Sequence, residues 1–266
     1  MRTVHVAGVG LICPAGIGAE GAQGGRPGEV PGFRARAYVD NRKNLKLMSR
    51  AVKLGVSAIR LALSDAPGWE EVPPERRGMF VGSTPIGGEM QDLVPALEVS
   101  SDEQGQLDLG AFARRGLDLI HPLWLVKGLS NNVLGFASAS HDFQGVNANY
   151  CDGDPSGAHA LYEGWAAVAE ERADLVVAGA SDAWVGFEAL LGGRKAGEGA
   201  AFLVLRPGPG ELEIEPGRGA PIGLDEDLLG YLGAAEVPVA LARALLAGRE
   251  GSFQGVSGQG LVVKRK

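Results

Sequence analysis

Apolar positions along this chain repeat with two different periods, and the switching between them predicts alternating strands and helices. Residues 3–9, TVHVAGV, alternate and are rich in valine, which predicts a strand, and GLICPAGIG after them reads as a glycine-proline loop. Residues 20–44 are polar, glycine-rich and irregular. They read as a surface arm carrying Arg34, Arg36, Arg42 and Lys43 beside Phe33 and Tyr38. Over 46–65 the period changes: Leu47, Ala51, Leu54, Ala58, Leu61 and Ala62 recur at helical spacing, and Pro67-Gly68 ends the run. GMFVGS at 78–83 is a strand, the acidic stretch 98–110 a loop, and 123–136 a helix interrupted by Gly128 and Asn131-Asn132. FQGVNANY at 143–150 is a strand. Asp154-Pro155 opens a helix over roughly 155–172, with Asp at the N-cap and Pro at the first helical position. DLVVAGA at 174–180 and GEGAAFLVLR at 197–206 are buried strands. A Gly/Pro hinge at 207–221 encloses a short strand near 211–215. A helix over about 225–247 and a last strand near 260–264 follow. This order predicts a layered α/β fold.

Composition narrows the picture by exclusion. At 266 residues and 45% hydrophobic the chain is ample for one core. A net charge of −7 without a long basic run disfavours nucleic acid and anionic membranes. No segment approaches the ~20 apolar residues of a membrane span, and the start, MRTVHVAGVG, reads as a strand and not a signal peptide. A cytoplasmic protein is the expectation. Two cysteines, Cys13 and Cys151, make no disulfide framework, and four scattered histidines offer no metal-ligand spacing, so neither cofactor nor metal is expected.

Candidate chemistry clusters near residue 154. Asp154 suits a helix cap and also a carboxylate base or nucleophile. Ser156 and His159 stand three apart on one helix and share a face, the minimum for a hydrolytic pair, with Asp154 the available acid. Cys151 is either a displaced nucleophile or a small buried residue. Gly8-Val9-Gly10-Leu11-Ile12-Cys13 partly matches a dinucleotide loop but has Cys13 where a third glycine belongs. His5, His121 and His141 have no spaced partner and read as structural or exposed.

Several segments together resemble the β-ketoacyl synthases of the thiolase fold. VHVAGVGLICPAGIG resembles their opening strand and loop, and RRGMFVGSTPIGGEMQD their next strand and glycine turn. GVNANYCDGDPSGAHAL resembles the segment around the nucleophile, and ERADLVVAGASDAW and GEGAAFLVLR the strands after it. LLGYLGAAEVPVALARALLAG resembles the helix bearing a catalytic histidine, and GVSGQGLVV the terminal gate loop and strand. The resemblance implies a truncated thiolase-like domain over 1–266. Residues 1–206 would be a near-complete amino-terminal half and 211–266 a remnant of the second.

The departures from the family carry the functional expectation. Its cysteine precedes Ser-Gly-Ala at a helix start, where the helix dipole and free N–H groups favour a thiolate. Here that position holds Asp154, ahead of Ser156-Gly157-Ala158. The family's Gly-His-Thr-Leu-Gly-Ala-Ala stretch appears as Leu229-Gly230-Tyr231-Leu232-Gly233-Ala234-Ala235, so the histidine falls near Gly230 or Tyr231. The second histidine lies in the absent segment, and the gate phenylalanine is Val256. The resemblance therefore implies a non-condensing pseudoenzyme of fatty-acid or polyketide biosynthesis, similar to chain-length-factor subunits. Its expected partners are an active ketosynthase, an acyl carrier protein and an acyl thioester. It would form a homodimer or heterodimer through the strand at 143–150. The alternative is a repurposed acyl-thioester hydrolase or decarboxylase using Asp154, Ser156 or His159.

Overall fold

The computed structural model describes residues 1–84, 89–217, 222–254 and 260–266. In chain order the strands and helices are β1 (Val4–Cys13), β2 (Gly16–Ile17), α1 (Arg50–Ser64), β3 (Arg77–Gly82), α2 (Val94–Glu98), α3 (Leu109–Ala111), α4 (Trp124–Lys127) and α5 (Asn132–His141). Then come β4 (Asn147–Tyr150), α6 (Ser156–Ala169), β5 (Leu175–Ala183), β6 (Glu198–Pro207), β7 (Leu212–Pro216), α7 (Glu226–Leu229), α8 (Glu236–Leu246), β8 (Gly251–Gln254) and β9 (Gly260–Arg265). They build one mixed sheet in the order β4-β3-β5-β6-β1-β7-β9-β8, with β2 paired to β1. β3 runs parallel to β4 and β5, and the other pairs are antiparallel.

Helices cover both faces, which makes the fold α/β, as the resemblance implies. Side chains alternate across a strand, and the central strands are apolar on both sides. Met79, Val81, Val177, Phe202 and Val204 point into the core under α1 and α5. Phe80, Val176, Ala178, Leu203 and Leu205 point to the opposite face, against α6 and α8. β7, β9 and β8 extend the sheet beyond β1, so the segment after Arg206 continues the layer begun before it. At the other end β4 is an edge strand with one side unpaired among the described residues.

Several sequence expectations change. β1 runs on to Cys13, so Gly8–Cys13 lies inside a strand and forms no phosphate-cradling loop. The arm at 20–44 is not simply surface: Val30, Phe33, Ala35 and Val39 are buried in the core while its arginines stay outside. The helix expected over 123–136 is two helices, α4 and α5, separated around Gly128 and Asn131. The helix expected over 225–247 breaks at Gly230, whose φ of +77° no continuing helix permits. The strand expected at 143–150 pairs only from Asn147, and β8 had no sequence forecast.

His141, at the end of α5, is buried edge-on against Trp69. Burial, helped by the Arg60 charge, pushes its pKa down to about 4 from 6.5. The unfolded chain therefore binds the proton more readily, and stability falls as pH drops from about 6.5 towards 4. His141→Phe keeps the ring and removes the titration. Relative to wild type it should gain about 1–2 kcal/mol between pH 7.5 and pH 5, read from urea midpoints. An unchanged difference across that window would refute the assignment.

Candidate active-site region at the start of helix α6

β4 delivers the chain to the carboxyl end of the sheet, and Gly153, at φ +83°, turns it into α6. Asp154 does not cap this helix. Pro155 holds the N-cap place with helical dihedrals, and α6 begins at Ser156 with no side-chain cap. The carboxylate instead accepts a hydrogen bond from the Tyr231 hydroxyl, across 77 positions of sequence. A tertiary partner has overridden the local Asp-Pro signal.

Ser156 is fully buried, and its hydroxyl oxygen accepts from the Asp152 N–H at 2.7 Å. His159 lies against Tyr150, ring centroids 4.0 Å apart, and its Nδ1 is 3.2 Å from the Asp152 carboxylate. Asp152 thus engages both residues of the expected pair, and the acid beside His159 is Asp152 and not Asp154. Cys151 is a half-buried free thiol in the preceding turn, and Cys13 is buried in β1.

Tyr231 lies in the break between α7 and α8. Its backbone N–H donates to the Lys195 carbonyl and its own carbonyl accepts from the Gly197 N–H. The Arg194 guanidinium sits 3.8 Å over one face of the ring, and Trp184 packs with its centroid 4.8 Å away. Arg194 is itself held by the Glu226 carboxylate. Burial, reinforced by the Asp154 charge, raises the phenol pKa, so Tyr231 keeps its proton and acts as donor.

Asp182, at the end of β5, supports this arrangement from below. It is buried, and its oxygens accept from Thr84 Oγ1, the Ala183 N–H and the Ala234 N–H at 3.0–3.1 Å. Burial outweighs these donors and lifts its pKa to about 7. Gly233 takes φ +53°, and a side chain there would meet Asp182 Oδ2 at 2.4 Å and Trp184 Nε1 at 2.5 Å. Glycine is needed on both grounds.

The region thus joins Asp154 with Tyr231, Arg194, Trp184 and Asp182. Only Asp154, and Tyr231 through its place in LGYLGAA, carried a signal in sequence. Asp182 could have been suspected as a carboxylate ending an apolar strand; Arg194 had no mark. Among the described residues no three His, Cys, Asp or Glu side chains converge as a metal site. Val256 lies outside the described residues.

The chain superposes on the ishigamide ketosynthase/chain length factor with a TM-score of 0.74 at 15% identity, covering 98% of each chain. The fold is that of the ketosynthases. AntDE:AntF, a type II polyketide-synthase acyl carrier protein in complex with its ketosynthase bound to the hexaketide, matches at TM-score 0.71 and 15% identity over 100% of both chains. A β-ketoacyl synthase from Burkholderia phymatum STM815 matches at TM-score 0.67 and 16% identity, again over 100% of both. No family model matches the sequence. Within this ketosynthase fold, α6 is the helix whose sequence resembles the one opened by the family's cysteine, and Asp154 stands at its start.

Proposed function

We propose that the protein is a non-condensing ketosynthase-like subunit of polyketide or fatty-acid biosynthesis, one that binds an acyl chain or stabilises a catalytic partner. One observation carries this reading. The resemblance puts Asp154 at the cysteine position, and its carboxylate is engaged by Tyr231 from the stretch that resembles the histidine motif. Neither Asp154 nor Tyr231 supplies the thiolate that would form an acyl-enzyme or the imidazole that would stabilise an enolate. The arrangement is read as one near-complete half, 1–206, with 211–266 a shortened second half.

Two surfaces support the partners. Ten leucines and valines between Val94 and Leu129 are 37–73% exposed, an apolar concentration of the kind that marks interaction sites. With the open edge of β4 they favour a dimer, with a second copy or with an active ketosynthase. Arg34, Arg36, Arg42, Lys43 and Lys46 are exposed, and none of them joins an ion pair among the described residues. Such a basic arm suits an acidic acyl carrier protein. No helix among the described residues is long and apolar enough to cross a membrane, and a cytoplasmic location fits the pathway.

Purified alone and given an acyl donor with malonyl-carrier protein, the protein should form no β-ketoacyl product. Light scattering should find a dimer, either alone or with the ketosynthase of its pathway. Condensation without a partner, or a monomer in both settings, would sink the proposal. Thioester hydrolysis that vanishes in Asp154→Asn would favour the hydrolase instead.

A further inference from the structure

Tyr231 is held more firmly than a surface tyrosine requires. Its ring is buried between Trp184 and the Arg194 guanidinium, its hydroxyl is tied to Asp154, and both its backbone groups pair with residues 195 and 197. The outer clamp is of a different kind. Arg194 and Glu226 form a side-chain pair about two-fifths exposed, so water competes for it. Glycines flank the segment on both sides: Gly230 at φ +77° and Gly233 at φ +53°. A buried aromatic between two glycines of positive φ, under an exposed ion pair, has the parts of a strap that can lift.

We infer that Tyr231 is a latch: fastened to Asp154 and pressed between Trp184 and Arg194, it holds the start of α6 shut against an acyl chain. The inference rests on the non-condensing reading and deepens it. Loss of the cysteine removes the chemistry, and the latch separately removes access. In the closed state the phenol is bonded to the Asp154 carboxylate, so a thioester reaching that group must first displace the ring. Apparent affinity is then reduced to the intrinsic affinity multiplied by the fraction of molecules in which the latch is open. Asp182 acts through position only, fixing Gly233-Ala234 beneath the ring by its bond from the Ala234 N–H.

The test uses lauroyl-pantetheine as probe and isothermal titration calorimetry on the full chain. Tyr231→Gly removes the ring, and Tyr231→Phe removes only the hydroxyl. The glycine variant should bind the probe at least about tenfold tighter than wild type, with the phenylalanine variant between them. Equal affinity in all three proteins overturns the latch, as does absence of binding in all three. Should Tyr231→Gly fail to fold by circular dichroism, Arg194→Ala lifts the clamp without touching the tyrosine and should tighten binding in the same direction. The condensation assay is independent of this series, so a failed latch leaves the non-condensing reading standing.

Discussion

Gly157→Val is expected to destabilise the protein by about 3 kcal/mol or more, the upper end of what over-packing costs. Gly157 sits in the first turn of α6, where the helix meets the turn at Gly233–Ala235 and the first residues of α8. A Cβ there would stand 2.1 Å from the Ala234 carbonyl oxygen and 2.8 Å from the ring of Pro238. The first of these is backbone and cannot swing aside, so the whole 233–238 segment must move away from α6. That motion would also strain the Tyr231–Asp154 bond, since both ends lie within a few residues of the clash. Gly135 is the matched control. It lies exposed in α5 with nothing within 4 Å of its missing Cβ. Gly135→Ala should therefore stabilise by about 0.5–1 kcal/mol, the usual helix gain. Urea unfolding of both variants gives opposite signs if the packing is as described. Two variants of equal sign would contradict it.

Glu198→Ala should cost about 3 kcal/mol. Glu198 opens β6 fully buried and accepts from Arg50 Nε at 2.8 Å, Arg50 Nη2 at 2.5 Å and the Val30 N–H at 2.7 Å. Arg50 is a third exposed and also stacks over Phe33, so it can recover part of its hydration. The Val30 N–H is buried and cannot. Removing the carboxylate leaves both donors unmatched, and that penalty exceeds the net worth of the pair itself. The damage should also be local. Val30 and Phe33 anchor the 20–44 arm, so trypsin should cut at Arg34 or Arg36 much faster in the variant. Glu198→Leu with Arg50→Met should recover the part of the loss that comes from the unpaired guanidinium, because it removes that charge and its donors together, while the Val30 N–H stays unmatched. If the double variant is no better than Glu198→Ala, unmatched charge is not the cause.

What could be read in sequence depended on where the deciding contact lay. β5 and β6 are legible because strands covered on both faces are near-continuous apolar runs. α1 is legible because one of its faces is apolar at helical spacing. The break at Gly230 was less visible, since the apolar residues on its two sides keep a helical rhythm across it. The arm at 20–44 misled for the opposite reason: Val30, Phe33, Ala35 and Val39, scattered among glycines and arginines, have no period, yet these four reach the core. At the site, Asp154-Pro155 is a sound local start signal that lost to Tyr231, a partner 77 residues away. His159 found its carboxylate two residues earlier than expected, on Asp152, because the turn at Gly153 separates the two aspartates. The position of Asp154 against the ketosynthase pattern, by contrast, came from the Ser-Gly-Ala that follows it, and that fragment sits at the start of α6.

The open side of β4 has a practical meaning for the lone polypeptide. Its outer row of peptide groups offers a ready template to any extended chain, and uncontrolled strand addition is how such edges seed precipitates. The sequence Asn147-Ala148-Asn149-Tyr150 is short and rich in asparagine, a residue poorly suited to sheets, which weakens that template without abolishing it. Shelf life should therefore depend on company: expressed with whatever covers that edge, the protein should stay clear at concentrations where the isolated chain turns cloudy.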